Sequence, residues 1–361
     1  MWLTELRTTP CDDRINFGGR DGASTTIRIG GAGVAGLAAA ITLARAGEEV
    51  EVLEMKARVG SSAGPHTEGI RNYLGHDGLE ELARFGVRVQ PFSVARRTVR
   101  RSPRFTSEIT GPSYHLVARG GGPGTLERQL LQQALDAGAT VRFKAKVRPE
   151  EVSILATGAP RDQVNIVAAG YRFSREGSNL TDEEIHALFD NTIAPRGYLC
   201  VLPGPVWQSI YSCAWGSIEY NELLRKVDAA LQLDWVRNLV GAAKLVGKIY
   251  GKGYYADDPY STASQPGPLR VGEAGGIQDA VGGYGIQFAV ASGHLAARSL
   301  LEGAPYVELL RKEFGEAFEI SRRGRGWLDR ATNDDYDAFL KKLGPTGTLE
   351  DYSKWRESRF F

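Results

Sequence analysis

The hydrophobic positions change period along the chain. In "TTIRIGGAGVAGLAAAITLARAGEEVEVLEM", residues 25–55, the apolar "TIRI" reads as a short strand. A small-residue helix follows through about Ala46, Gly47 stops it, and "EVEVLE" alternates as a second strand ending at Glu54. Residues 118–147 read as loop, helix and strand, the helix starting about Thr125, a residue able to cap it, and ending at Gly138. "EEVSILATGAP", residues 150–160, is a strand ending in Ala156, Thr157 and Gly158. Strand patterns continue through "PRGYLCVLP" at 195–203 and "VWQSIYSCAWGSIEY" at 206–220. The stretch 221–253 predicts one or two helices, and its Leu239, Val240, Ala243 and Val246 with Lys244 and Lys248 give a weakly amphipathic face. In 269–301 a short strand, "LRVGEA", leads through a glycine-rich loop into a helix starting near Gly285. The tail from Pro305 is helical with charged faces.

Composition narrows the class. The 361 residues suffice for a full core and two interwoven subdomains. With 42% hydrophobic and 24% charged residues, the profile is that of a globular protein, and a net charge of +1 gives no electrostatic case for nucleic acid. The cysteines are Cys11, Cys200 and Cys213, without CxxC spacing, so a reducing cytoplasm is expected. No apolar run reaches the length of about 18–20 residues that spans a bilayer. The five histidines (66, 76, 115, 186 and 294) are scattered and no metal site is expected.

The chemistry concentrates at the two ends. Gly31, Gly33 and Gly36 form G-x-G-x-x-G between a strand and a helix, with Glu54 ending the next strand. Gly31 permits the tight turn, Gly33 lets backbone approach a pyrophosphate, and Gly36 lets the helix pack close. Ala32, Val34 and Ala35 complete the turn and open the helix, whose N-terminus favours phosphate. Glu54 would accept bonds from ribose hydroxyls, with Met55 beside it. At the far end, Gly272 and Glu273 close a strand, and Gly283, Tyr284, Gly285 and Ile286 form a helix N-terminus able to stabilise negative charge.

Together these segments resemble the flavoprotein group that includes p-hydroxybenzoate hydroxylase, lycopene cyclases and geranylgeranyl reductases. Arg58, Val59 and Gly60 after Glu54 resemble the stretch following the acid in FAD-dependent proteins, and "GEA" at 272–274 resembles the group's G-[DE]-A motif, usually with Asp. The "SG" at 292–293 and "AA" at 296–297 are similar to geranylgeranyl reductases. The resemblance implies an α/β fold: an FAD-binding Rossmann-like doubly wound domain, an interleaved antiparallel-sheet substrate domain and a C-terminal helical tail. The expected boundaries are 25–70, 118–160 and 265–305 for the FAD domain, 71–117 and 161–264 for the substrate domain, 306–361 for the tail and 1–24 for an N-terminal extension. It implies FAD as cofactor, held also by Arg119 (with Arg128 as the other candidate), Ala156, Thr157 and Gly158. Glu273 would bind the ribityl hydroxyls. The hydroxylase A-D-G pattern is absent, since this chain has "ATGAPRDQV".

"PRGYLCVLP" has the spacing of the geranylgeranyl reductase P-x-x-Y-x-W-x-F-P, with Pro195, Tyr198 and Pro203 in place and Cys200 and Leu202 for the two aromatics. In that family the stretch lines an isoprenoid cavity. Tyr198, Cys200 and Leu202 share one strand face and are expected as a widened pocket wall. The implied reaction is reduction of a carbon–carbon double bond of an isoprenoid or other apolar, prenylated small molecule by hydride from reduced FAD. Tyr198 is the one candidate for the proton. NAD(P)H or ferredoxin is the donor, with no separate NAD(P)H domain. An FAD-dependent monooxygenase and a non-redox flavin-dependent cyclase are the alternatives. The face at 239–248 suggests either peripheral membrane contact or a helix covering a sheet. The arginines of "ARRTVRRSPR" (Arg96, Arg97, Arg100, Arg101 and Arg104) suggest either an exposed hairpin or a patch for diphosphate or phospholipid head groups. Arg71 and Asn72 of "GIRNYL", residues 69–74, are further candidates to reach cofactor or substrate.

Overall fold

The computed structural model describes residues 26–61, 64–72 and 76–352. The extension 1–24, with Cys11, lies outside the described residues, as do Tyr73 and Leu74.

Two sheets organise the mixed α/β chain. The first is parallel: β1 (Ile27–Gly30), β2 (Val50–Glu54), β6 (Thr140–Phe143), β7 (Ile154–Leu155) and β13 (Leu269–Arg270), in the order β13-β7-β1-β2-β6. The second is larger: β3 (His66–Arg71), β4 (Ser93–Arg101), β5 (Thr106–Arg119), β8 (Ile166–Ser174), β9 (Glu184–Leu188), β10 (Tyr198–Pro203), β11 (Trp207–Trp215), β12 (Leu245–Gly253) and β14 (Thr346–Thr348). Its order is β12-β8-β11-β10-β9-β4-β5-β14, with β3 also on β5. Most pairs are antiparallel, but β4–β9 and β5–β14 run parallel, a departure from a purely antiparallel sheet. The helices are α1 (Val34–Arg45), α2 (Gly78–Arg84), α3 (Leu126–Asp136), α4 (Tyr220–Ala230), α5 (Asp234–Val240), α6 (Pro259–Ala263), α7 (Ile286–Glu302), α8 (Tyr306–Leu328) and α9 (Asn333–Leu343).

The core of the first layer is α1, whose residues are small and buried almost all round. Small residues are needed because α7 crosses it closely: a Cβ on Gly293 would stand 2.2 Å from the Ala35 carbonyl oxygen. The neighbouring Ser292 hydroxyl accepts from the Gly272 N–H at 2.9 Å, tying α7 to the turn after β13. The "SG" pair thus has a mechanical role.

The larger sheet has two apolar faces. On one, Leu199 and Val201 of β10 join Leu223, Leu224 and Val227 of α4 in a sealed core. On the other, Cys200 and Leu202 cluster with Leu116, Tyr211 and Ile249. The period of two in β10 therefore separates a helix-covered face from the face that carries Tyr198, Cys200 and Leu202.

Two local readings are corrected. Helices end at Val240, where Gly241 takes φ 59°, and 245–253 is the edge strand β12, not a helix. Pairing with β8 supplies its hydrogen bonds, and Gly247, Gly251 and Gly253 have low helix propensity. The face 239–248 is thereby split: Leu239 and Val240 pack on the α4 core, whereas Leu245 and Val246 are exposed. Thr125 holds the N-cap position of α3 but makes no capping bond, and its hydroxyl donates to the Gly122 carbonyl.

Candidate functional site

A cavity of about 1400 Å³ runs between the two sheets. Sites for small ligands commonly span roughly 300–1000 Å³. The space fits an extended ligand together with a second molecule.

One end is the turn from β1 to α1. Gly31 has φ +104°, and a Cβ there would stand 2.4 Å from the Ala156 carbonyl oxygen, so only glycine fits. Gly36 is equally constrained, its Cβ position lying 2.0 Å from the Gly31 carbonyl oxygen. Gly33 differs. Its Cβ position meets nothing nearer than the Ala156 oxygen at 3.9 Å, so its bare face opens onto the cavity. That is a cradle a phosphate can occupy against the N-terminus of α1.

Gly31, Ala32, Gly33, Val34, Ala35, Glu54, Met55 and Arg58 line this end, as do Ala156, Thr157 and Gly158. Gly36 does not line it and acts by packing α1 onto the turn. Glu54 is held in place by two backbone donors, Ala32 N–H at 2.9 Å and Lys56 N–H at 2.8 Å. Each carboxylate oxygen keeps acceptor capacity for a ribose hydroxyl.

The middle carries a charged network. Arg119 lines the cavity, but its guanidinium already serves two carboxylates, Glu127 at 2.7 Å and Glu68. Arg128 is exposed and lies off the cavity wall. Burial pushes Glu68 up, but the charge of Arg119 and the bond from His66 outweigh it and hold the carboxyl at about 2. Glu273 sits in the turn after β13. Burial, reinforced by the negative charge of Glu68 and partly offset by Arg119, pushes it up to about 7. Glu68 and Glu127 were not anticipated. Their role is set by Arg119, more than fifty positions from Glu68 in sequence, so no local pattern announces it.

Gly272, Gly283, Tyr284, Gly285 and Ile286 line the far end. Gln278 donates to the Gly283 carbonyl at 2.9 Å while its Oε1 is buried without a partner, an acceptor for a ligand N–H. The 283–286 loop is tied to the larger sheet: the Tyr198 hydroxyl donates to the Gly282 carbonyl at 2.5 Å, and the Tyr284 and Tyr114 hydroxyls are 2.8 Å apart.

The wall opposite is the open face of the larger sheet. Tyr198, Cys200 and Leu202 line it, with Tyr211, Cys213 and Leu116. Pro195 and Pro203 do not; Pro195 precedes β10 and Pro203 ends it. Burial pushes the Cys200 thiol well up and that of Cys213 to about 12, so neither is a thiolate at neutral pH. Burial likewise raises Tyr198 well above the usual phenol range.

The five arginines of 95–104 do not form one patch. Arg96 pairs with Glu183, Arg97 with Glu108 and Glu184, and Arg104 with Asp334 and Asp337. Arg101 lies over the Trp235 ring at 4.4 Å. Arg100 turns inward and lines the cavity with Arg71. Among the described residues no cluster of His, Cys, Asp and Glu could hold a metal ion, and no helix is long and apolar enough to cross a membrane.

Residues 29–103 match the family described as the NAD(P)-binding Rossmann-like domain. By sequence, no curated protein matches the chain. By structure, it is similar to a geranylgeranyl bacteriochlorophyll reductase-like protein from Thermoplasma acidophilum, with TM-score 0.73 and 16% identity over 93% of this chain and 96% of that one. It is similar to a flavin-dependent brominase at TM-score 0.61 and 13% identity, over 88% of this chain and 90% of that one. For 2-methyl-3-hydroxypyridine-5-carboxylic acid oxygenase the values are 0.54 and 15%, over 94% and 95%. At these identities the likeness is one of fold: the chain is built as these proteins are.

Proposed function

We propose that this chain, whose fold matches that of a geranylgeranyl reductase-like protein, is an FAD-dependent oxidoreductase that reduces a carbon–carbon double bond in an isoprenoid or other apolar substrate. One observation carries the reading. A single cavity runs from the open face of Gly33 to the apolar wall of Tyr198, Cys200 and Leu202.

The residues along it suit FAD in order. The turn at Gly31–Gly33 and the start of α1 take the pyrophosphate, Glu54 the adenosine ribose, Glu273 the ribityl chain, and the 283–286 loop the ring end. When bound and reduced, FAD supplies a hydride. The chain's own work is placement. The wall gives an apolar chain its surface, the small side chains of Cys200 and Leu202 leave width for a branched chain, and the Tyr198 bond to Gly282 fixes the wall against the loop. Tyr198 holds its proton tightly, so its first role is positioning, and a water entering the cavity is the alternative proton source. NAD(P)H or ferredoxin supplies the electrons from outside. The spacing of residues 195–203, similar to that of the reductases, and Thr157 in place of the hydroxylase Asp favour reduction over hydroxylation.

The test is anaerobic. Dithionite-reduced protein is mixed with geranylgeranyl diphosphate or geranylgeraniol, and flavin absorbance and product mass are followed. The reading expects reoxidation without oxygen and a product heavier by two hydrogens. Reoxidation that requires oxygen, with an oxygen atom in the product, would replace it by a monooxygenase.

A further inference from the structure

Among the described residues, three polar side chains at one end of the larger sheet each carry a buried atom without a hydrogen-bond partner. Arg100 is 7% exposed, and its Nη1 is buried without a hydrogen bond. The hydroxyls of Thr98 and Ser107, both buried, are also unpartnered. Register places them together. Ser107 of β5 is directly opposite Arg100, and Thr98 is two residues along β4 on the same face.

This cluster belongs to the wall already described. Arg100 pairs in register with Ala187, Ala187 with Cys200, and Cys200 with Tyr211, so the four form one row across β4, β9, β10 and β11. With strands about 4.8 Å apart, the Arg100 backbone stands about 10 Å from that of Cys200. Arg100 and Thr98 line the cavity.

Arg100 also lines a smaller adjoining cavity, which carries Glu81, Asp279, Glu313 and Glu316. Among the described residues no carboxylate pairs with Arg100, and Arg71 lies on the same wall, over the Tyr284 ring at 5.0 Å. The Tyr352 ring stacks on Arg100 at 3.7 Å, which occupies a face of the guanidinium; one in-plane side bonds the Tyr114 hydroxyl, and Nη1 stays available. Beside it the Tyr114 and Tyr284 hydroxyls share one hydrogen bond. Two hydroxyls carry two protons and one lies between them, so a second remains for an outside acceptor. Buried donors without acceptors, around a cation that no carboxylate of the described residues pairs with, are costly unless a ligand completes them.

We propose that Arg100, with Thr98 and the Tyr114–Tyr284 pair, forms a subsite for an anionic oxygen group, a carboxylate or a phosphate, at one end of an otherwise apolar substrate. The inference rests on the apolar wall being a substrate site. Nη1 of Arg100 donates to the group, and the hydroxyls take the rest. The chain of the substrate then lies along the row toward Cys200. The substrate is thereby assigned to acids or phosphate esters with an apolar body, not to neutral hydrocarbons.

Isothermal titration calorimetry on the full chain tests this with decanoate, decyl phosphate, decanol, acetate and inorganic phosphate, on wild type, Arg100→Gln and Arg100→Lys. At least one decyl anion should bind about 10- to 100-fold more tightly than decanol, the range for a charge-assisted bond. Arg100→Gln should erase that preference while decanol binding and circular dichroism persist, and Arg100→Lys should keep part of it. Preference for decanoate assigns a carboxylate, and preference for decyl phosphate a phosphate. If Arg100→Gln does not fold, the alcohol-to-anion ratio in wild type and Arg100→Lys decides. If the apolar reading alone is wrong, the decyl probes give nothing, yet acetate or phosphate binds and is lost in Arg100→Gln. Equal affinity for decanol and both anions, or an anion preference unchanged in Arg100→Gln, overturns the subsite. So does the absence of binding by all five probes. Flavin content, read separately by absorbance, reports on the FAD assignment.

Discussion

Glu273 offers a quantitative test of the site's electrostatics. Its carboxyl is raised from 4.5 to about 7 in the folded chain, first by burial and then by the charge of Glu68. At about 1.4 kcal/mol per tenfold change in proton affinity, the rise is worth about 3 kcal/mol. That is an upper bound, because Glu273 lines a cavity water can enter. The sign follows from linkage. Between pH 4.5 and about 7 the folded chain keeps a proton that the unfolded chain releases, so stability is full below 4.5 and falls as pH rises through 7. Glu273→Gln keeps the shape and removes the titration. Urea unfolding of flavin-free wild type and variant from pH 4.5 to 8 should therefore show the wild type losing up to about 3 kcal/mol relative to the variant. Adding FAD should shrink the difference, because ribityl hydroxyls donating to the carboxylate stabilise its charged form. Parallel stability curves for the two proteins across this range would refute the burial argument. An unchanged difference with FAD bound would refute the ribityl contact.

Two further outcomes are expected. Glu54→Ala removes the acceptor of the Ala32 and Lys56 N–H groups as well as the ribose contact. It should weaken FAD binding by about 1–3 kcal/mol, measured by equilibrium titration, and wild-type affinity would show that the carboxylate serves the turn alone. Cys200→Trp places a large ring on the open face of β10, and should narrow the cavity and favour slimmer substrates with FAD content near normal. Overpacking costs about 1–3 kcal/mol in a sealed core, so unfolding of this variant would assign Cys200 to the core and not to the wall.

Sequence made the nucleotide end legible because its physics is local. The glycine spacing, the strand before it and the acid that ends β2 all fall within about thirty residues; Gly31 and Gly36 each answer a short contact, and Gly33 keeps its face open. The β10 face was legible by period alone, since Leu199 and Val201 meet α4 while Cys200 and Leu202 lie on the face that lines the cavity. The pairing of Arg119 with Glu68 and Glu127 was not legible, because it forms only when β3, β5 and α3 converge. The strand β12 was misread as helix because Leu245, Val246, Lys248 and Ile249 fit either period, and only the exposed edge of β8 decides between them. The arginines of 95–104 looked alike in sequence. Their fates separate by strand face, which sends Arg100 to the cavity and Arg97 and Arg101 toward carboxylates and Trp235.

The most direct test of the central claim is flavin content. Among the described residues a Cβ on Gly33 meets nothing nearer than 3.9 Å, so Gly33→Val should fold while filling the phosphate cradle. Purified wild type, supplied with FAD and desalted, should carry one FAD per chain by absorbance and by chromatography of the heat-released cofactor. Gly33→Val, with the same circular dichroism, should carry none. A wild type without a flavin band after FAD addition would contradict the account, as would a folded Gly33→Val variant with full FAD content.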